Sequence, residues 1–139
     1  MREIVLDNNI LFSLMNPKSI SSYIFSSIRA NFISSEFTKE ELEEHKEECL
    51  IKSNLSEEQF RIRLNEIEQS IIFFQISEYK SYLDEAISLI SDPDDVDILA
   101  LALKRNAEIW SNDFHLREQS KIRVLTTEGL VGLFLKGEV

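Results

Sequence analysis

Glu3-Ile4-Val5-Leu6-Asp7-Asn8-Asn9 opens the chain with an apolar run that stops abruptly at an acid and two amides. A short apolar run bounded by turn formers predicts a buried strand followed by a turn or helix start, which puts Asp7 at the strand's carboxyl end. Working outward, Ile10, Leu11 and Leu14, then Ile20, Ile24 and Ile28 beyond Pro17, recur at helical spacing and predict two helices packed on that strand. Asn31 to Ser34 reads as a second strand, Ile72 to Ile76 as a third, Glu108-Ile109-Trp110 as a fourth and Arg123-Val124-Leu125 as a fifth. Leu83, Ala86, Ile87 and Ile90 mark a helix before the fourth strand. Asp92-Pro93-Asp94-Asp95 then starts another, with Asp92 as N-cap and Pro at the first helical position. The body of that helix, Ile98 to Leu103, is apolar all round, as suits a helix buried between a sheet and its neighbours. Thr126 caps a final helix carrying Leu130, Leu133 and Phe134.

Between the second and third strands lies a stretch of different character. Thr38-Lys39-Glu40-Glu41 has the form of a capping box, and Ser56-Glu57-Glu58-Gln59 repeats it ahead of Phe60, Leu64, Ile67 and Ile71. Asn54-Leu55-Ser56 separates the two helices, so residues 36–71 read as a helical hairpin, free to project from the body. Short strands alternating with helices predict an α/β fold: a three-layer α/β/α sandwich around a parallel sheet of four to five strands. A length of 139 residues suits one domain spanning 1–139.

Composition removes several function classes. The lone Cys49 forms no internal disulfide, and an acid arrives before any apolar region could serve as a signal peptide, so the expected location is cytoplasmic. No apolar run approaches the ~18 residues of a spanning helix, which argues against membrane insertion. His45 and His115 have no recognisable nucleophile partner, and with 3 glycines there is no phosphate-binding Gly-rich loop. A net charge of −10 argues against a generic nucleic-acid binder, unless some of the acids hold cations that reverse the local field.

The positions of the acids suggest that they do. In open parallel sheets ligands bind beyond the strands' carboxyl ends, where Asp7 and Asp113 sit, and helices that follow strands begin at the same edge, where Glu41 and Asp95 sit. Carboxylates gathered in one crevice repel unless a cation lies between them or one is protonated. Oxygen ligands without His or Cys suit Mg²⁺ or Mn²⁺ rather than zinc. Each acid also has a plain structural reading: Asp7 as a turn residue, Glu41 as the partner in a capping box, Asp95 as a helix-start charge and Asp113 as a cap. It is the joint arrangement of four that favours a site. Asp94, Asp97 and the Glu43 to Glu48 run read as solvated helix charges, and Trp110 as core.

Together, Ile4-Val5-Leu6-Asp7-Asn8-Asn9-Ile10-Leu11, Glu40-Glu41-Leu42, Asp92-Pro93-Asp94-Asp95 with Ala100-Leu101-Ala102, and Ile109-Trp110-Ser111-Asn112-Asp113 resemble the PIN domain family, and within it the proteins related to VapC-type toxins. The resemblance covers nearly the whole chain. It implies Mg²⁺ (or Mn²⁺) held by Asp7, Glu41, Asp95 and Asp113, and endonucleolytic hydrolysis of RNA. It also implies Asn9 and Ser111 as residues supporting the ligands, with Asp92 an additional acid that serves capping, metal binding or neither. A cognate antitoxin and a homodimer are implied as partners, the latter through the two N-terminal helices or the hairpin. Haloacid dehalogenase-like phosphatases want Asp-x-Asp after the first strand, and Asn9 denies the second acid. The alternatives are a PIN-like protein-binding or regulatory module with weak catalysis and, further off, a metal-dependent phosphatase. Basic residues that could meet RNA, including Lys18, Arg29, Lys104, Arg105, Arg117 and Lys121, are scattered along the sequence.

Overall fold

In a computed structural model, which describes residues 2–139, the five short apolar segments form one parallel sheet: β1 (Glu3–Leu6), β2 (Asn31–Ser35), β3 (Ile71–Phe74), β4 (Glu108–Trp110) and β5 (Val124–Leu125). Their order is β3-β2-β1-β4-β5. The chain therefore winds outward from β1 on one side, then returns to lay β4 and β5 on the other. The register pairs Val5 with Ile33 and with Ile109, and Leu6 with Trp110.

Alternation along the strands divides the core in two, because successive side chains point to opposite faces. Ile4, Leu6, Phe32, Trp110 and Leu125 pack with α1 (Asn8–Leu14), α2 (Ile20–Ser27) and Leu130 of α9 (Thr127–Leu135). Val5, Ile33 and Ile109 pack on the other face with Ala86 of α7 (Leu83–Leu89) and with Ile98 to Ala102 of α8 (Val96–Arg105). Asn106 ends α8 at φ 52°, a left-handed position that Asn tolerates better than most side chains.

The stretch between β2 and β3 departs from the sequence reading in two ways. The first helix, α3 (Glu36–Glu44), starts three residues earlier than expected, because Ser35 caps it and accepts from Thr38 N–H at 3.1 Å. Thr38 is buried in the first turn and there is no Thr38–Glu41 capping box, which places Glu41 in the second turn. The following helices, α4 (Lys46–Ser53) and α5 (Glu57–Ser70), lie on the body, with Leu42, Cys49, Phe60 and Ile67 all in the core. Arg63 fastens α5 further: its Nε donates to Leu14 O at 2.8 Å and a terminal nitrogen to Ser22 Oγ at 3.1 Å. The capping box at Ser56 and Gln59 is present. β3 ends at Phe74, and Ile76 begins α6 (Ile76–Tyr79) instead of closing the strand. Among the described residues no helix is long and apolar enough to cross a membrane.

Candidate metal centre

The winding reverses between β1 and β4, and the crevice beyond their carboxyl ends is where an open α/β sheet binds ligands. Asp7 leaves β1 there, its backbone N–H donating to Trp110 O of β4 at 3.1 Å. Its carboxylate is nearly fully buried and held by three donors. Oδ1 accepts from Asn8 N–H at 2.7 Å, and Oδ2 accepts from Ser111 Oγ at 2.6 Å and Asn9 Nδ2 at 3.2 Å. Burial raises the Asp7 pKa, Asp113 and Asp92 add repulsion, and the bonds from Ser111 and Asn8 oppose the rise.

Asp113 follows β4 and caps a 3₁₀ turn, Phe114–Glu118, by accepting from His115 N–H at 2.9 Å. Its own N–H donates to Ser111 Oγ at 3.0 Å. The buried Ser111 hydroxyl thus joins two acid-bearing segments: it donates to one carboxylate and accepts from the other residue's backbone. Asn9 Nδ2 also reaches Ser111 Oγ, at 3.3 Å. Both residues expected to support the ligands therefore touch Asp7.

Asp95 arrives from the opposite layer. Asp92 starts the 3₁₀ turn Pro93–Asp95 by accepting from Asp94 N–H at 3.0 Å, and α8 follows directly. A helix preceding β4 begins at the carboxyl edge of the sheet, so its start carries Asp95 to the same crevice. Asp95 is 5% exposed, and among the described residues no donor reaches its buried Oδ2; the one side chain its carboxyl meets at bonding distance is the Asp113 carboxylate, with which it can bond only if one of the two carries a proton. Burial above all, then Asp7, Asp113 and Asp92, push its carboxyl pKa up to about 8.

Carboxylate oxygens of Asp7, Asp95 and Asp113 all lie within 4.8 Å of one another. A buried, unpartnered oxygen flanked by two further carboxylates is an unfavourable arrangement for the protein alone and a fitting one for a hard divalent cation. Glu41 stands outside this trio. It is half-buried on α3, and its pKa is raised first by burial, then by Asp94 and Asp7, while the Asn8 side chain lowers it. It therefore feels the centre's charge from the rim. Asp92 contributes its cap and its charge from outside the trio as well.

Asn112 and Thr127, to which the sequence reading gave no role, hold the loop after β4 in place together with Trp110. Asn112 accepts from Thr127 N–H at 2.9 Å and donates to Thr127 Oγ1 at 3.1 Å, and Trp110 Nε1 donates to the same hydroxyl at 3.0 Å. The start of α9 is thereby tied to the segment that aims Asp113. No local pattern in the sequence announces this, since Thr127 lies beside the more obvious cap, Thr126.

A family model of the PIN domain matches residues 5–128. The chain belongs to the PIN domain family. Two solved structures share this PIN fold. One is VapBC2 from Rickettsia felis bound to a DNA fragment from their promoter: 18% identity, 89% of this chain and 98% of that chain covered, TM-score 0.67. The other is FitAcB from Neisseria gonorrhoeae: 15% identity, 90% and 98% covered, TM-score 0.63. At such identities the likeness is one of fold. No curated protein matches the chain in sequence.

Proposed function

We propose that this PIN domain is a divalent-metal-dependent endoribonuclease, acting as the toxin of a toxin–antitoxin pair. The observation that carries the reading is the Asp7–Asp95–Asp113 trio with its unpartnered buried oxygen at the switch point of the sheet. Asp7, Asp95 and Asp113 would hold Mg²⁺ or Mn²⁺, with Glu41 at the rim. Bound there, the ion would supply an activated water and neutralise charge on a phosphodiester. The remaining work falls to the chain. Ser111 and Asn9 hold the Asp7 carboxylate in one orientation, and Asp92 and Asp113 cap the turns that carry Asp95 and the loop after β4. Support for hydrolysis comes from the family, whose members are generally nucleases. The antitoxin partner is supported by the fold shared with VapBC2 and FitAcB, and a homodimer by the family resemblance alone.

The test is cleavage of single-stranded and structured RNA in Mn²⁺ or EDTA by the wild type, Asp7→Asn and Asp95→Asn. Cleavage that requires the metal and is lost in both variants, with circular dichroism unchanged, is the expected result. Cleavage that persists in EDTA, or in either variant, would overturn the reading.

A further inference from the structure

A cavity of about 460 Å³ opens beside the carboxylate centre, between α1 with the turn that follows it and α4. Its volume lies within the roughly 300–1,000 Å³ usual for small-molecule sites. Asn9 belongs to both places: its side chain holds Asp7 and Ser111, and it lines the cavity. From there Phe12, one turn further along α1, and Asn16, in the turn that follows the helix, lead away from the acids along one wall. Asn9 to Phe12 is about 4.5 Å along the helix axis, a step one nucleoside covers.

The chemistry of the lining suits a base better than a phosphate. Phe12 is half-buried, with its ring perpendicular to that of His45 (centroids 6.1 Å apart, planes at 88°). Asn16 Oδ1 is engaged by Lys18 N–H at 3.0 Å, which leaves the amide nitrogen, among the described residues, without a partner. On the α4 wall Glu48 and Lys52 neutralise each other at 3.1 Å. An aromatic ring, a free amide donor and a compensated ion pair offer stacking and hydrogen bonds without net charge. The backbone behind Asn16 is stiff, because Ser22 Oγ donates to Asn16 O at 2.7 Å and Arg63 holds Ser22.

We propose that this cavity is a nucleoside subsite, in which Phe12 stacks the base next to the scissile phosphate of single-stranded RNA and Asn16 donates to that base. The proposal rests on the nuclease reading for the direction of the RNA, but not for the binding itself. Unstacked bases of single-stranded RNA are the usual targets of such aromatic and amide groups.

The test is a titration of the full chain with 5′-nucleoside monophosphates in Mg²⁺, followed by amide chemical shifts. Shifts at Phe12, Asn16 and Lys52 are expected, with affinity about 5- to 100-fold weaker in Phe12→Leu, which keeps an apolar side chain there but lacks the ring face. In cleavage assays the same variant should raise KM and leave kcat nearly unchanged. Shifts confined to residues 111–115, or affinity lost in Phe114→Ser but kept in Phe12→Leu, would overturn the subsite and put the base on the other side of the acids. No shift at millimolar nucleotide would also overturn it, and would leave the groove to a polypeptide. Metal-dependent cleavage lost in Asp7→Asn with no effect of Phe12→Leu would sink the subsite alone. Nucleotide shifts at Phe12 in a protein that never cleaves RNA would sink the nuclease reading alone.

Discussion

Replacing Asp95 with Asn should stabilise the metal-free protein, and the gain should grow with pH. Two unit charges 4.8 Å apart repel by roughly 3 kcal/mol at an effective dielectric of 20, and Asp95 faces two such partners, Asp7 and Asp113. Asp113 is half-exposed, so solvent screening reduces its share, and a net gain of about 1–3 kcal/mol is the reasonable expectation. The pH dependence follows from the raised pKa. Between the ordinary carboxyl value of 3.8 and about 8, the folded chain keeps a proton on Asp95 that the unfolded chain has released. Stability is then lost as pH rises through that window, and Asn removes the loss. In EDTA the variant should melt near the wild type at pH 4–5 and about 4–12 °C above it at pH 8–9, taking roughly 4 °C per kcal/mol for a chain of this size. Added Mn²⁺ should raise the wild-type melting temperature and leave the variant's unmoved. A variant that melts below the wild type in EDTA at pH 8–9, or a difference that ignores pH, would refute the reasoning.

Three further substitutions probe the supports. Ser111→Ala removes the hydroxyl that joins Asp7 to the Asp113 segment and should weaken Mn²⁺ binding about 10- to 100-fold in a paramagnetic titration, with the fold kept; unchanged affinity would contradict it. Arg63→Ala should cost about 1–2 kcal/mol in urea unfolding by removing the bonds to Leu14 O and Ser22 Oγ, which leaves Leu14 O with only the longer 3.3 Å contact from Ser22 Oγ; unchanged stability would contradict it. Gln119 donates to the carbonyls of Leu116 and Ile122 and accepts from Ile122 N–H. Its near-isosteric change to Glu sets a carboxylate against two carbonyls, and should destabilise more at pH 8 than Gln119→Leu does; the reverse order in denaturation would refute this.

β1 and β4 were legible because each is a short apolar run that ends near an acid, whereas the apolar run of β3 carries on to Ile76 and hid the strand's end at Phe74. Asp7 and Asp113 could be placed at one edge from that alone, and Asp95 from the Asp92-Pro93 helix start. What misled was local: Thr38 and Glu41 have the spacing of a capping box, yet Ser35, at the very end of β2, is nearer the helix start and takes the cap. Which hydroxyl caps depends on where the sheet releases the chain, and that is a tertiary fact. Arg63, Asn112 and Thr127 gave no signal, since their partners lie far away in sequence and become neighbours only when the layers close.

The most direct measurement of the central claim is an anomalous difference map from crystals grown or soaked in Mn²⁺. One peak or a close pair of peaks, ligated by Asp7, Asp95 and Asp113 at the edge shared by β1 and β4, is the expected result. Saturating Mn²⁺ with no peak there, or with Asp95 turned away from the ion, would contradict it.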